Sequence, residues 1–276
     1  MIAHRFVEVD GVRVFYRETG PADAPVLLLL HGFPSASHQF RGLMGALGDR
    51  YRMIAPDLPG FGRTETPEGF PFTFDRLADI TEGFVKELGL ERFHVYGFDY
   101  GLPTALRLAG RLPERIAGLV AQNGNAYDDG LSEMARGLLT ATPDQIRPVL
   151  EPEGVRGQYL AGVADPAAID PDSWLLDQHH LDLPGRRDIQ IALALDYASN
   201  VALYPAWQAW LRAHQPATLV LWGTGDPFFL VPGAHAYLRD LPDAELHLFD
   251  TGHFALEEKL SEIAPLIARF LERTTS

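Results

Sequence analysis

The chain of 276 residues contains no cysteine. Disulfide bonds and metal sites built from thiolates are therefore excluded. Positive charge is also in short supply, because 23 lysines and arginines stand against 37 aspartates and glutamates and leave a formal net charge of −14. Nucleic acids and anionic membranes are bound by basic surfaces, so this balance argues against both as partners.

Long apolar runs are missing as well. The run of leucines at residues 27–30 is too short to cross a bilayer. The first six residues lack the basic, apolar and small-residue pattern of a signal peptide, so we expect a cytoplasmic protein. A hydrophobic content of 46% nevertheless indicates a globular fold. The length suits one large α/β core with an insertion.

Residues 97–101 read Gly-Phe-Asp-Tyr-Gly and form the most informative segment of the chain. Residues 93–96 before it have the pattern of a buried strand, and residues 102–112 after it have helical periodicity. A sharp strand–turn–helix corner needs small residues at both ends, because neighbouring backbone approaches closely there. Such a corner lifts one side chain, here that of Asp99, clear of the sheet edge.

A carboxylate at this position predicts a particular chemistry. Its attack on a carbonyl carbon would form a labile anhydride, so its natural targets are sp³ carbons that carry a leaving group, namely epoxides and alkyl halides. The attack would leave an ester between the enzyme and an alkyl carbon. The pentapeptide alone is weak support, because glycine and aspartate are common in ordinary turns.

Four further segments share the pattern of a short apolar strand followed by a loop. They are residues 27–34, 51–62, 218–227 and 246–254. The third loop carries Asp226 and the fourth carries His253. Nucleophile, acid and histidine each lie just past their own strand, in the chain order expected of the α/β-hydrolase fold. Because ligands of open α/β sheets lie beyond the carboxyl ends of the strands, the three side chains are expected to converge there.

Together, these segments resemble the aspartate-nucleophile branch of the α/β-hydrolases, which contains the epoxide hydrolases, haloalkane dehalogenases and fluoroacetate dehalogenases. The motifs that carry the resemblance are His-Gly-Phe-Pro, Asp-Leu-Pro-Gly-Phe-Gly, the aspartate corner, Gly-Thr-Gly-Asp-Pro and Gly-His-Phe. The match extends from about residue 7 to residue 270. It implies a hydrolase with a catalytic triad.

The order of predicted elements indicates an α/β protein with a mostly parallel, twisted sheet flanked by helices. Residues 6–10 and 12–17 alternate around Asp10-Gly11 and predict a hairpin. We predict a core formed by residues 1–124 and 213–276, with an inserted helical cap formed by residues 125–212. The helical segments of this stretch are predicted at residues 131–141, 144–150, 154–162, 188–199 and 204–213.

Each residue of the site can be given a role. Asp99 would be the nucleophile, and the free amides at the start of its helix favour the ionised form that attack requires. His253 would activate water against the ester, and Asp226 would orient the histidine and stabilise its charged form. Backbone amides of Phe33 and Tyr100 would form the oxyanion hole.

Other polar residues near these motifs have simpler interpretations. Asp250 is a competing acid, but it shares a loop with the catalytic histidine. His31 and Asp57 are expected to brace their loops through local hydrogen bonds. His179 and His180 are adjacent and would face different ways on a helix, which makes a poor metal pair. We predict no metal and no cofactor.

The leading hypothesis is an epoxide hydrolase acting on a small apolar substrate, as a monomer or a homodimer. The epoxide hydrolases that the chain resembles protonate the opening ring with two tyrosines of the cap. Tyr197 lies 29 residues before Asp226, close to the spacing of the second family tyrosine. Tyr159 is the choice for the first, and Tyr204 follows Tyr197 at a helical spacing of seven residues.

Two alternatives stay open: a dehalogenase, of the haloalkane or the fluoroacetate type, and a catalytically silent binding protein. A haloalkane dehalogenase would use the same triad but would need N–H donors for the halide, often tryptophan or asparagine. The family positions for these donors hold Tyr100 and Phe33, although Trp174, Trp207 and Trp210 keep a halide pocket possible. A fluoroacetate dehalogenase would place arginine beside the nucleophile, and none is there unless Arg107 or an arginine of the cap substitutes. The other alternative is a catalytically silent protein that binds small molecules on the same fold.

Overall fold

The computed structural model of the protein describes residues 1–275, and eight strands in this part of the chain form one sheet. The strands are β1 Ala3–Val9, β2 Val12–Thr19, β3 Val26–Leu30, β4 Arg52–Pro56, β5 Phe93–Phe98, β6 Ile116–Gln122, β7 Thr218–Gly223 and β8 Glu245–Phe249. They lie in the order β1-β2-β4-β3-β5-β6-β7-β8. Strand β2 is antiparallel to both of its neighbours, and all other neighbours are parallel. The predicted mostly parallel sheet is confirmed.

The antiparallel end of the sheet begins with a tight hairpin. Val9 pairs with Val12 across Asp10 and Gly11, whose φ angles are +48° and +77°. Two-residue hairpin turns of this kind need positive φ at both central positions, which aspartate and glycine tolerate better than most residues. The predicted hairpin is confirmed.

Helices cover both faces of the sheet. They are α1 Arg41–Leu47, α2 Phe74–Glu87, α3 Gly101–Arg111, α4 Glu133–Leu138, α5 Pro143–Ile146, α6 Pro152–Leu160, α7 Pro171–Leu181, α8 Arg186–Asp196, α9 Ala198–His214, α10 Val231–Asp240 and α11 Ala255–Thr274. Helix α9 is longer than the predicted segment and continues through Pro205. No helix within residues 1–275 is both long and apolar enough to cross a membrane.

Helix α7 does not follow from the hydrophobic pattern. Its buried residues are Ser173, Asp177, Gln178 and Leu181, so three of the four are polar. Apolar residues at helical spacing are the main signal for a helix, and a helix with a polar buried face does not produce it. The helices α4 to α9 all lie between β6 and β7 in the chain.

Apolar side chains fill both faces of the central strands. Along β3, Leu28 and Leu30 pack in a cluster with residues of α2, α3 and α10, whereas Leu27 and Leu29 pack in a second cluster with residues of α1 and α11. Alternate residues of a strand face opposite sides of the sheet, so a strand covered on both sides is apolar throughout. This packing holds the carboxyl ends of β5, β7 and β8 at the same edge of the sheet.

Candidate active site

Asp99 stands on the corner between β5 and α3. Its φ is +46°, a conformation uncommon for a residue with a side chain. A Cβ atom on Gly101 would lie 2.0 Å from the carbonyl oxygen of Leu30, and one on Gly97 would lie 2.7 Å from the Cα atom of Leu102. Glycine is therefore required on both sides of Asp99 by close backbone contacts.

The Asp99 carboxylate is buried, with 7% of the residue exposed. The amide of Phe33 donates to Oδ1 at 2.6 Å, and the amide of Tyr100 also hydrogen-bonds the carboxylate. Burial nevertheless raises the pKa of Asp99 to about 6, although His253 and these amides act to lower it. The expected effect of the helix start is thus outweighed by burial. At pH 7 and above the group is still mostly ionised.

His253 lies between the two carboxylates. Its Nδ1 is 2.7 Å from Oδ2 of Asp226, and its Nε2 is 3.8 Å from Oδ2 of Asp99. Burial by itself lowers the pKa of His253, but the nearby Asp226 and Asp99 carboxylates outweigh burial and leave the pKa raised. The structure therefore brings together the three residues singled out in the sequence, with one histidine nitrogen on the acid and the other facing Asp99.

Asn123 is a part of the site that the sequence does not reveal. It follows β6 directly, has a φ of +41°, and donates from Nδ2 to Oδ2 of Asp226 at 2.7 Å. The amides of Phe228 and Phe229 donate to the other oxygen of Asp226 at 2.7 and 3.1 Å. The acid is thus held by three donors besides the histidine. The one available signal was the position of Asn123 just past a parallel strand.

The side chain of Gln122 connects Asn123, which holds Asp226, to the backbone of His253. Its Nε2 donates to Oδ1 of Asn123 at 2.6 Å and to the carbonyl of His253 at 3.0 Å. Its Oε1 accepts from the hydroxyl of Tyr96 at 3.1 Å. Because both polar atoms of the Gln122 amide have partners, this hydrogen-bond network fixes the position of Asn123 relative to the backbone of His253.

Asp99 and His253 line one cavity, in which about 700 Å³ is free of protein atoms when the open solvent at its mouth is included. The polar residues of its lining are Asp99, Tyr100, Gln158, Gln190, Tyr197 and His253. The remaining lining is apolar and comes from α4, α5, α8, the turn at residues 147–150 and the loops that hold Phe33, Phe228 and Phe229. Among residues 1–275, no arginine, lysine, asparagine or tryptophan lines this cavity.

Tyr197 is the predicted tyrosine that reaches the cavity. Its ring lies 5.7 Å from that of Tyr100, and its buried hydroxyl interacts with the hydroxyl of Tyr204, although no hydrogen bond of normal geometry forms within the described chain. Burial first, then the neighbouring Tyr204 and the Asp99 carboxylate, raise the pKa of Tyr197 well above its ordinary value. The hydroxyl therefore stays protonated. Tyr204 does not line the cavity; its hydroxyl accepts from Asn125 Nδ2 at 3.2 Å.

Tyr159 lies elsewhere. Its hydroxyl donates to Oδ2 of the fully buried Asp177 at 2.5 Å, and its ring stacks on Phe254 with 3.9 Å between centroids. It is not among the residues that line the cavity. Because its hydroxyl is committed to a carboxylate outside the cavity, this placement argues against the predicted role of Tyr159 in protonating a leaving group.

The other groups proposed for a leaving group or a substrate carboxylate are also outside the cavity. Arg107 donates to Asp75 at 2.7 Å and to Ser199 at 3.1 Å, so its charge is already paired. The tryptophans considered for a halide are absent from the lining; they are Trp174, Trp207 and Trp210. Within residues 1–275, no three histidine or acidic side chains are grouped so that they could hold a metal ion.

The loops beneath the site are braced as expected. His31 accepts from the amide of Leu58 at 2.9 Å, and burial lowers its pKa to about 4, so it is neutral. Asp57 accepts from the amides of Ser37 and Arg63, both at 2.8 Å. These bonds tie the loop after β3 to the loop after β4.

Comparison with known proteins agrees with this architecture. A family model described as alpha/beta hydrolase fold matches residues 25–260. An uncharacterized hydrolase from Saccharomyces cerevisiae is 43% identical over 281 residues, which cover 98% of this chain and 97% of the yeast protein. Haloalkane dehalogenase 2 from Mycobacterium tuberculosis is 39% identical over 119 residues, which cover 43% of this chain and 41% of the relative.

A solved structure shows the same fold. The crystal structure of Cfl2 from Burkholderia cenocepacia superposes with a TM-score of 0.82 and covers 98% of this chain and 95% of Cfl2. The sequence identity is 22%, so this likeness concerns the fold alone.

Proposed function

The chain belongs to the α/β-hydrolase family, and we propose that it hydrolyses epoxides to diols through a covalent ester at Asp99. One observation carries the proposal. The cavity that holds Asp99 and His253 is also lined by Tyr197, whose protonated hydroxyl interacts with that of Tyr204 but makes no hydrogen bond of normal geometry in the described chain. An opening epoxide needs such a donor for its oxygen.

The first step forms the ester. Oδ1 of Asp99 is held by the amide of Phe33, so Oδ2 is the attacking oxygen. A bond forms between Oδ2 and a ring carbon as the carbon–oxygen bond of the ring breaks. The departing oxygen takes the proton of the Tyr197 hydroxyl, which leaves a phenolate. General acid assistance of this kind contributes typically about 10²- to 10⁴-fold.

The second step releases the diol. His253 takes a proton from water, and the resulting hydroxide attacks the ester carbonyl carbon. The negative charge that forms on Oδ1 is stabilised by the amides of Phe33 and Tyr100. The bond between the carbonyl carbon and Oδ2 then breaks, and Oδ2 leaves as part of the product. His253 returns its proton to this departing alkoxide. The Asp99 acid then gives its proton to the Tyr197 phenolate, so the sum is epoxide plus water to diol.

Two variants test the covalent mechanism. Purified His253→Gln should stall after the first step when it is incubated with styrene oxide, because water is no longer activated. Intact mass should then rise by the full mass of the epoxide, since ring opening loses no atoms. His247→Gln, on β8 outside the cavity, is the matched control and should show no adduct. A His253→Gln protein that still turns over, or that never carries an adduct, would contradict the mechanism.

A second candidate function is dehalogenation by the same triad. The partial identity to a haloalkane dehalogenase favours it. Against it, the described cavity lining has neither tryptophan nor asparagine for a halide. We would follow diol from styrene oxide and halide from a bromoalkane, a chloroalkane and fluoroacetate. Halide without diol would replace the epoxide proposal with this one, and neither product would contradict both.

Tyr197→Phe separates the two reactions. Removal of the hydroxyl should lower kcat for styrene oxide by about 100-fold or more, because the alkoxide loses its proton donor. Halide release needs no proton donor and should be unaffected. Tyr159→Phe is the matched control, since that hydroxyl lies outside the cavity. Equal effects of the two substitutions would contradict the assignment of Tyr197.

A further inference from the structure

Gln190 is a buried polar residue in the cavity lining that the proposed chemistry does not use. It lies on α8, and only 2% of the residue is exposed. Its Nε2 donates to the carbonyl of Gly60 at 2.9 Å. Its Oε1 accepts no hydrogen bond from any residue of the described chain.

The contact with the carbonyl of Gly60 sets the orientation of the Gln190 amide. If the amide were rotated by 180°, Oε1 would face the carbonyl oxygen of Gly60, and two acceptors would meet without a proton between them. The nitrogen therefore belongs on Gly60 and the oxygen on the other side. A buried acceptor without a partner destabilises the fold, so a donor that reaches it has a favourable place to bind.

We propose that Oε1 of Gln190 binds a hydrogen-bond donor of the substrate, and that the preferred substrates are neutral epoxides that carry a hydroxyl or an amide N–H away from the ring. The inference rests on the proposed function. The composition of the cavity favours an uncharged substrate. The described lining contains no lysine or arginine that would bind an anion, and no acid besides Asp99 that would bind a cation. Tyr197 and Asp99 act on the ring itself, whereas Gln190 differs from Gln158, the other glutamine of the lining, in that its buried Oε1 has no partner in the described chain.

The test uses pairs of epoxides that differ in one group. Styrene oxides with a hydroxymethyl group at the meta or para position are compared with the corresponding ethyl compounds, which have nearly the same size. One neutral hydrogen bond contributes about 0.5–1.5 kcal/mol, so kcat/KM should favour one hydroxymethyl isomer about 2- to 10-fold beyond any difference in the uncatalysed rates. In Gln190→Leu this preference should fall to about one.

A matched control comes from Gln208 on α9. Its Nε2 donates to the carbonyl of Ala126 at 2.9 Å, in the same way as Gln190 to Gly60, but it does not line the cavity. Gln208→Leu should therefore keep the preference for the hydroxymethyl isomer. The preference is a ratio measured within one protein preparation, so incomplete folding of a variant does not change it.

The outcomes separate this inference from the function on which it rests. If the wild-type protein converts the ethyl epoxides but prefers neither hydroxymethyl isomer, the epoxide function stands and the role of Gln190 is refuted. A preference that survives Gln190→Leu, or that is lost equally in Gln208→Leu, also refutes it. If no epoxide is converted, both the function and the inference fail.

Discussion

Replacement of Asp99 by asparagine is expected to abolish turnover and, at the same time, to stabilise the fold at neutral pH. Burial raises the pKa of Asp99 from an ordinary value of 3.8 to about 6. One pKa unit corresponds to about 1.36 kcal/mol, so keeping this carboxylate ionised in the folded state costs about 3 kcal/mol at pH 7.5. Asparagine is neutral, can accept the amide of Phe33 through its own Oδ1, and tolerates positive φ.

The gain in stability should depend on pH in a definite direction. Between pH 4 and 6 the folded protein holds a proton on Asp99 that the unfolded chain has already released. The free energy of unfolding contributed by this group therefore falls as the pH rises through that window, and the cost is complete above it. The advantage of Asp99→Asn over the wild type should grow from below about 1 kcal/mol at pH 4 to about 3 kcal/mol at pH 7.5.

Urea unfolding of both proteins at pH 4, 5, 6 and 7.5 measures this difference. Intact mass must be checked at each stage, because slow deamidation would return asparagine to aspartate and restore activity. An Asp99→Asn protein that is no more stable than the wild type at pH 7.5, or whose advantage does not change with pH, would refute the reasoning from burial. Unchanged turnover of a verified Asp99→Asn protein would refute the nucleophile.

Three further outcomes are expected. Tyr159→Phe should lower the free energy of unfolding by about 1–3 kcal/mol, measured in urea, because the buried Asp177 loses a donor, while kcat of the folded protein stays near wild type. Asn123→Ala removes a hydrogen-bond donor from Asp226, so this carboxylate should stabilise charged His253 more strongly and raise the pKa of His253. The limb of the pH–kcat profile that reports His253 should then move to higher pH by up to about one unit. Gly101→Ala should yield little soluble protein, because its Cβ would meet the carbonyl oxygen of Leu30 at 2.0 Å, and circular dichroism of any soluble fraction should show the loss of the native transition.

The sequence by itself predicted a mostly parallel sheet and the positions of three candidate catalytic residues. Residues 27–34, 51–62, 218–227 and 246–254 each show a short strand followed by a loop with glycine or proline, and that pattern is local. Because parallel strands end at one edge of the sheet, Asp99, Asp226 and His253 were expected to converge, and the structure brings them together. The glycines on both sides of Asp99 also identify the sharp corner without tertiary information.

The tertiary structure decided what surrounds the triad. The spacing to Asp226 favoured Tyr197 but gave no support for Tyr159, and only packing shows that Tyr197 lines the cavity and that the Tyr159 hydroxyl donates to Asp177. The donor role of Asn123 and the open acceptor of Gln190 depend on partners more than one hundred residues away in the chain. Local patterns record which face of an element is apolar. A hydrogen bond between distant segments, or the burial that raises the pKa of a carboxylate, exists only after those segments have packed together.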